Sequence, residues 1–209
     1  MKLETALYAE QNAVWPRSGR HILAHFDEET IIVYQAYKTS TRDWSIPRGQ
    51  LGGPEFSFNR MSWIKPNFLW MMYRCGWASK EAQETVLALR IERAFFESVL
   101  EQAVPSSFDA TLYSDQVAWK EALASSDARL QWDPDHAPSG AVVERRAIQL
   151  GLRGQMLRTL ATTALREVID MTAFVHEQAA LVATPSLLTP VERPYLPDSA
   201  AAKRQVGLA

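Results

Sequence analysis

Hydrophobic spacing along the chain switches between two periods. Apolar residues from His21 to Phe26 stop at Asp27-Glu28-Glu29, and Thr30-Ile31-Ile32-Val33-Tyr34-Gln35-Ala36-Tyr37 follows, dense in β-branched and aromatic residues. This pattern predicts a hairpin of two strands, the second central because Ile31 to Val33 is continuously apolar. Pro47, Gly49, Gly52, Gly53 and Pro54 then resist regular structure and suit a mobile connection over a cleft. Phe56-Ser57-Phe58 reads as a short strand. Pro66 suits the start of a helix and Gly76 the left-handed residue past its end, so residues 66–74 are predicted helical. Ser79 as a cap, with Ala82, Val86, Leu89, Phe96 and Leu100 at helical spacing, predicts a long helix up to Pro105.

Residues 115–124 predict a further helix, and Leu130-Gln131-Trp132 a brief strand closing on an Asp133-Pro134-Asp135-His136 turn. Residues 147–152 fit either period, with Gly151 and Gly154 tilting the reading to strand. A helix over 155–165, a β-prone stretch at 168–171 and a helix capped by Thr172 and running through Val182 complete the pattern. Residues 1–19 are polar and read as a leader segment tied down by Leu7, Tyr8 and Trp15. Pro185, Pro190, Pro194 and Pro197 make 184–209 an extended or disordered tail. Between them, residues 20–183 form one globular domain, since 209 residues are too few for two full cores. Early hairpin strands and later helices, without an internal repeat, predict an α+β fold with a central, mostly antiparallel sheet flanked by helices.

A formal net charge of -2 excludes a global attraction to nucleic acid or to an anionic membrane, so any polyanion must meet a local patch. A single cysteine, Cys75, excludes an internal disulfide framework and a multi-cysteine metal site, and fits a reducing compartment. The first residues lack the apolar core of a signal peptide, and no apolar run approaches the roughly 20 residues that span a bilayer. Cytoplasmic residence without membrane contact is therefore expected. No metal is expected, because His21, His25 and His176 have no ligand spacing toward His136.

The local patch lies in residues 59–77. It holds three of seven tryptophans and three of six methionines around Arg60, Lys65 and Arg74, with no acid. Such a stretch suits the wall of a pocket that receives a phosphate or carboxylate through charge-assisted hydrogen bonds. Asn59, Ser62, Trp63 and the nearby Tyr37 join these cations as candidate binding residues. The competing reading is that Arg74 caps helix carbonyls and the tryptophans are core. Gln35, polar within an apolar strand, can donate and accept at once, as a ribose hydroxyl pair requires, or be satisfied by neighbouring backbone. Asp133, Asp135 and His136 suit general acid or base work, against ordinary turn chemistry. Glu144 beside Arg145 offers a carboxylate next to an anion clamp, against a solvated charged face. Cys75 reads as a buried structural thiol. No phosphate-binding glycine loop, dinucleotide fingerprint or serine-hydrolase elbow is present.

The runs at 34–37, 56–77, 131–136 and 144–154 together resemble the domain-of-unknown-function 4291 family over roughly residues 20–180. A fainter resemblance is to ADP-ribosyltransferase-like folds, and it implies NAD as a co-substrate. It implies a polar strand residue on the nicotinamide-side ribose, an aromatic residue stacked on nicotinamide and a glutamate orienting the acceptor. Gln35, Tyr73 or Trp63, and Glu144 stand in those places by order along the chain, although ordinary members carry histidine or arginine where this chain has Gln35. The expectation is a small transferase binding a nucleotide-like anion, with Gln35, His136 and Glu144 as catalytic candidates. The alternative is a non-catalytic module that binds nucleic acid or protein through the same aromatic and basic surface.

Overall fold

The structure, a computed structural model, describes residues 3–208. In chain order its first elements are β1 (Thr5–Leu7), α1 (Tyr8–Val14), β2 (Gly19–Arg20), β3 (Ile22–Ala24), β4 (Thr30–Tyr37), α2 (Thr39–Ser45), β5 (Ser62–Ile64) and α3 (Phe68–Cys75). There follow β6 (Thr85–Glu92), α4 (Arg93–Gln102), β7 (Val104–Pro105), α5 (Gln116–Ser125), β8 (Ala128–His136) and β9 (Val142–Leu152). The last are α6 (Gly154–Ala161), β10 (Leu165–Asp170), α7 (Thr172–Ala179), β11 (Leu188–Pro190), β12 (Arg193–Tyr195) and α8 (Ala200–Val206). The class is α+β in a single domain. Among the described residues no helix is long and apolar enough to cross a membrane.

Two larger sheets carry the fold. One is antiparallel in the order β10-β6-β4; the other runs β2-β9-β8-β7, with β5 also paired to β9. They meet where Tyr34 and Lys65 exchange backbone hydrogen bonds of 2.7 and 3.2 Å. This seam fixes the candidate site, because it sets the polar end of β4 beside β5.

Each face of the three-stranded sheet is buried. Ile31, Val33, Leu87, Leu89 and Ile91 join one core cluster, whereas Ile32, Tyr34, Val86 and Ala88 join another with Phe68, Leu69 and Met72 of α3. Complete burial of each such side chain contributes about 1.5–3 kcal/mol, so β6 is a principal source of stability. The same arrangement overturns the long helix expected from Ser79 up to Pro105. A strand buried on both faces has no polar stripe, and its apolar run then mimics helical spacing at Val86 and Leu89. Only Arg93–Gln102 is helical there.

Other local signals hold. The Asn67 side chain caps α3 by accepting from the Trp70 N–H at 2.6 Å, and Gly76 closes it in the left-handed region at φ 59°. Such a cap contributes about 1 kcal/mol. Pro66 precedes the cap instead of opening the helix. Asp115 caps α5 through the N–H groups of Val117 and Ala118. Residues 147–152 lie within β9, and β10 begins at Leu165, where helix had been expected.

The hairpin turn between β3 and β4 forms at Asp27, whose N–H donates to Thr30 O at 3.0 Å, but the strands then part, since β3 pairs with β12 and β4 with β6. In its own sheet β4 is an edge strand, and β6 is the middle one. The glycine- and proline-rich connection follows a helix, α2, that the pattern did not predict. It is fastened at Leu51, which is buried and donates its N–H to Ala161 O at 2.9 Å. Gly52 lies under Trp44, where a Cβ would stand 2.6 Å from the ring. Phe56 and Phe58 are not in a strand; their rings meet edge to face at 4.9 Å. Both ends carry more structure than their composition suggests. β1 pairs with β11, α8 packs on α4, and the buried Gln11 amide donates to Thr189 Oγ1 at 2.8 Å. Prolines in β11 and β12 sit in short two-stranded pairings, where a missing N–H is tolerated.

Candidate functional site

Strand alternation builds the site. On one face of β4, Ile31 and Val33 enter the core, and the next two residues on that face are Gln35 and Tyr37. Both line a cavity of about 910 Å³ at the seam. β5 and its flanks bring Arg60, Ser62, Trp63 and Lys65, α3 brings Arg74, and β8 and β9 bring Gln131 and Gln149. Lys38 and Glu55 also line it and pair with each other at 2.6 Å on the exposed rim.

Gln35 is 4% exposed and fully engaged on its amide. Its Nε2 donates to Ser62 Oγ at 2.7 Å and to Trp63 O at 3.2 Å, and the Tyr37 hydroxyl donates to its Oε1. Burial raises the Tyr37 phenol above its ordinary pKa, so it stays a neutral donor.

Lys65 is the unusual group. It is 3% exposed, and its Nζ reaches only the Trp63 carbonyl, at 3.4 Å. Among the described residues no carboxylate lies within 4.0 Å of it. Burial, and next the positive charge of Arg74, pull its pKa down to about 8, against an opposing pull from Asp133.

Asp133 itself is bracketed by amides. Gln131 Nε2 donates to its Oδ1 at 2.8 Å and Gln149 Nε2 to its Oδ2 at 2.7 Å, and the two glutamines are cross-strand partners. Neither glutamine was a candidate from sequence, although each is a polar residue beside apolar strand neighbours, which is the available signal. Their convergence depends on the β8–β9 register.

Of the residues expected to bind an anion, Tyr37, Arg60, Ser62, Trp63, Lys65 and Arg74 meet at the cavity, and Gln35 joins them. Asn59 is exposed beside Arg60 and outside the lining. Arg145 is elsewhere and committed: its Nε and Nη2 both reach Asp135 Oδ2 at 2.7 Å, its Nη1 donates to Pro16 O at 2.7 Å, and its guanidinium lies 5.4 Å from the Trp15 ring centre. The Asp-Pro-Asp-His run is strand and not turn. Its His136 is buried and stacks on Tyr73 with ring centres 3.5 Å apart, and burial lowers its pKa. Glu144 is exposed on β9. Gln35, His136 and Glu144 therefore do not share the cavity lining. Cys75 is buried, and burial pushes its thiol pKa up, as a structural thiol requires. Among the described residues no group of three or more His, Cys, Asp or Glu side chains could hold a metal ion.

The family described as a domain of unknown function (DUF4291) matches residues 21–195. The chain belongs to this family. The match takes in every residue of the cavity lining, and leaves α1 and α8 outside it. No curated protein matches the chain.

Proposed function

We propose that the protein binds a nucleotide-like anion in the seam cavity, as the substrate of a transfer reaction. The observation that carries this reading is Lys65, a buried amine facing a polar cavity without a carboxylate partner among the described residues. Burying an ammonium ion without a counter-ion is costly, and an entering phosphate removes that cost. Arg60 and Arg74 on the same lining add charge-assisted donors. Trp63, half-buried, offers a stacking face, and the volume falls within the roughly 300–1,000 Å³ usual for ligand pockets.

NAD is the first co-substrate to test, with ADP-ribosyl transfer as the reaction. In that reading the acceptor-orienting carboxylate moves from Glu144 to Glu55, the carboxylate residue that lines the cavity. Calorimetric titration with NAD, ATP and a short RNA, on wild type and Lys65→Met, tests the site. Binding that weakens in the variant supports it; no binding of any of the three to wild type overturns it. Single-stranded nucleic acid on the same cations is a second reading, favoured by the exposure of Arg60 and Arg74. It expects affinity to fall steeply with salt and no nucleotide turnover.

A further inference from the structure

The Asp133 bracket assigns a direction to two amides. A carboxylate oxygen only accepts, so Gln131 and Gln149 must both turn their NH2 ends toward it. An amide carries its oxygen on the other side of the same carbon. The Oε1 atoms are thereby turned away from Asp133, and among the described residues neither has a hydrogen-bond partner. Gln149 lines the seam cavity, while Gln131 lines it and a second cavity of about 470 Å³. Without Asp133 either amide could rotate by half a turn; with it, each Oε1 is fixed as an acceptor on the side away from the carboxylate.

On the opposite side of the choice stands Gln35, whose donor and acceptor are both spent on Ser62, Trp63 and Tyr37. The free donors of the lining include the cations Lys65, Arg60 and Arg74, which suit phosphate.

Resting on the anion-site reading above, we infer that the ligand is a nucleotide whose base carries an exocyclic amine, read by the Gln149 carbonyl with Gln131 beside it and held in that sense by Asp133. Asp133 is a positioning residue in this arrangement. A base bearing a carbonyl at the same place meets an oxygen with an oxygen and covers that acceptor without pairing it.

The test is calorimetric titration of the full chain with AMP against IMP and CMP against UMP, pairs that exchange an amine for a carbonyl and keep ribose and phosphate. Wild type is expected to prefer the amine member by about tenfold, the equivalent of one hydrogen bond made against one left unmade. Asp133→Asn frees one amide to rotate and is expected to cut that preference below about threefold while phosphate-dependent binding persists. Should that variant fail to fold by thermal unfolding, Gln149→Met removes the reader itself and is expected to abolish the same preference. Equal affinity of wild type for both members of each pair, or tighter binding of IMP and UMP, overturns the amine reading and leaves the anion site standing. Failure of wild type to bind any of the four overturns both.

Discussion

Lys65 and Arg145 are both buried cations that the sequence offers as anion binders, and the fold treats them in opposite ways. Arg145 is 4% exposed and spends its guanidinium on Asp135, on Pro16 O and on the face of Trp15. Lys65 is 3% exposed and has one long bond to a carbonyl. The difference teaches how to separate structure from site. A paired buried charge ties segments together, here the approach to β2 to the β8–β9 pair, whereas an unpaired one beside a cavity has its counter-ion still to come.

The largest expected effect breaks the structural half of this contrast. Arg145→Met leaves the Asp135 carboxylate buried at 1% exposure with, among the described residues, only the His136 N–H, at 2.8 Å, as a partner. Removing one member of such a pair costs about 3–5 kcal/mol. Urea unfolding should show a loss of that order, and Asp135→Asn in the same chain should restore part of it. A loss below about 1 kcal/mol would mean that the pair contributes little to the fold.

Lys65→Met should move stability the other way. The folded pKa of about 8 lies below the ordinary 10.5, so between these values the unfolded chain holds a proton that the folded chain has released. Stability of the wild type therefore rises with pH across that window and carries a penalty of up to roughly 3 kcal/mol below it. The variant should be more stable than wild type near pH 7 and lack this rise. Thermal unfolding of both proteins from pH 7 to pH 10.5 is the measurement, and parallel curves would refute the burial argument.

Ligand binding should show the next effect. Lys65→Met and Arg60→Ala are each expected to weaken a nucleotide by about 1–3 kcal/mol, the range for hydrogen bonds to charged groups. For the wild type, binding should also weaken as pH rises past about 8, because an anion favours the protonated amine. Arg60 is exposed, so its variant should keep the wild-type melting temperature. A variant that lost both binding and stability would return Arg60 to the structural class.

How legible this contrast was depends on the distance over which each signal acts. Gly76 marks the end of α3 and Asp115 the start of α5, each within one turn, so those helices were readable, although the pattern puts the start of α3 at Pro66, one residue before its Asn67 cap. β6 was not, since its environment comes from β4 and β10, strands about 50 residues before and 80 after it. The residues around Lys65 stood out by composition, and seven of the candidates do meet at one cavity. Depth was invisible: Lys65 and Arg60 are both cations in the sequence, but one is buried and the other is exposed. Arg145 was misread because its partner lies ten residues away and reaches it only when β8 folds back on β9. Gln131 and Gln149 were missed for the same reason, as only the register makes them neighbours.

The smallest expected effect concerns Glu144, the carboxylate that order along the chain had offered for catalysis. It is exposed on β9, one residue from Arg145 and outside the cavity lining. Neighbouring residues of a strand face opposite ways, so the strand that buries the Arg145 side chain sends Glu144 to solvent. Glu144→Gln should leave nucleotide affinity within about twofold and stability within about 0.5 kcal/mol, as for an ordinary surface substitution. Glu55→Gln is the informative partner, since Glu55 lines the cavity and holds Lys38 and Ser40. If turnover of NAD is found, its loss in Glu55→Gln but not in Glu144→Gln would place the acceptor side of the reaction at the rim. The reverse result would require β9 to present a second surface to the substrate, and would remove the seam cavity from the chemistry while leaving Lys65 its role in binding.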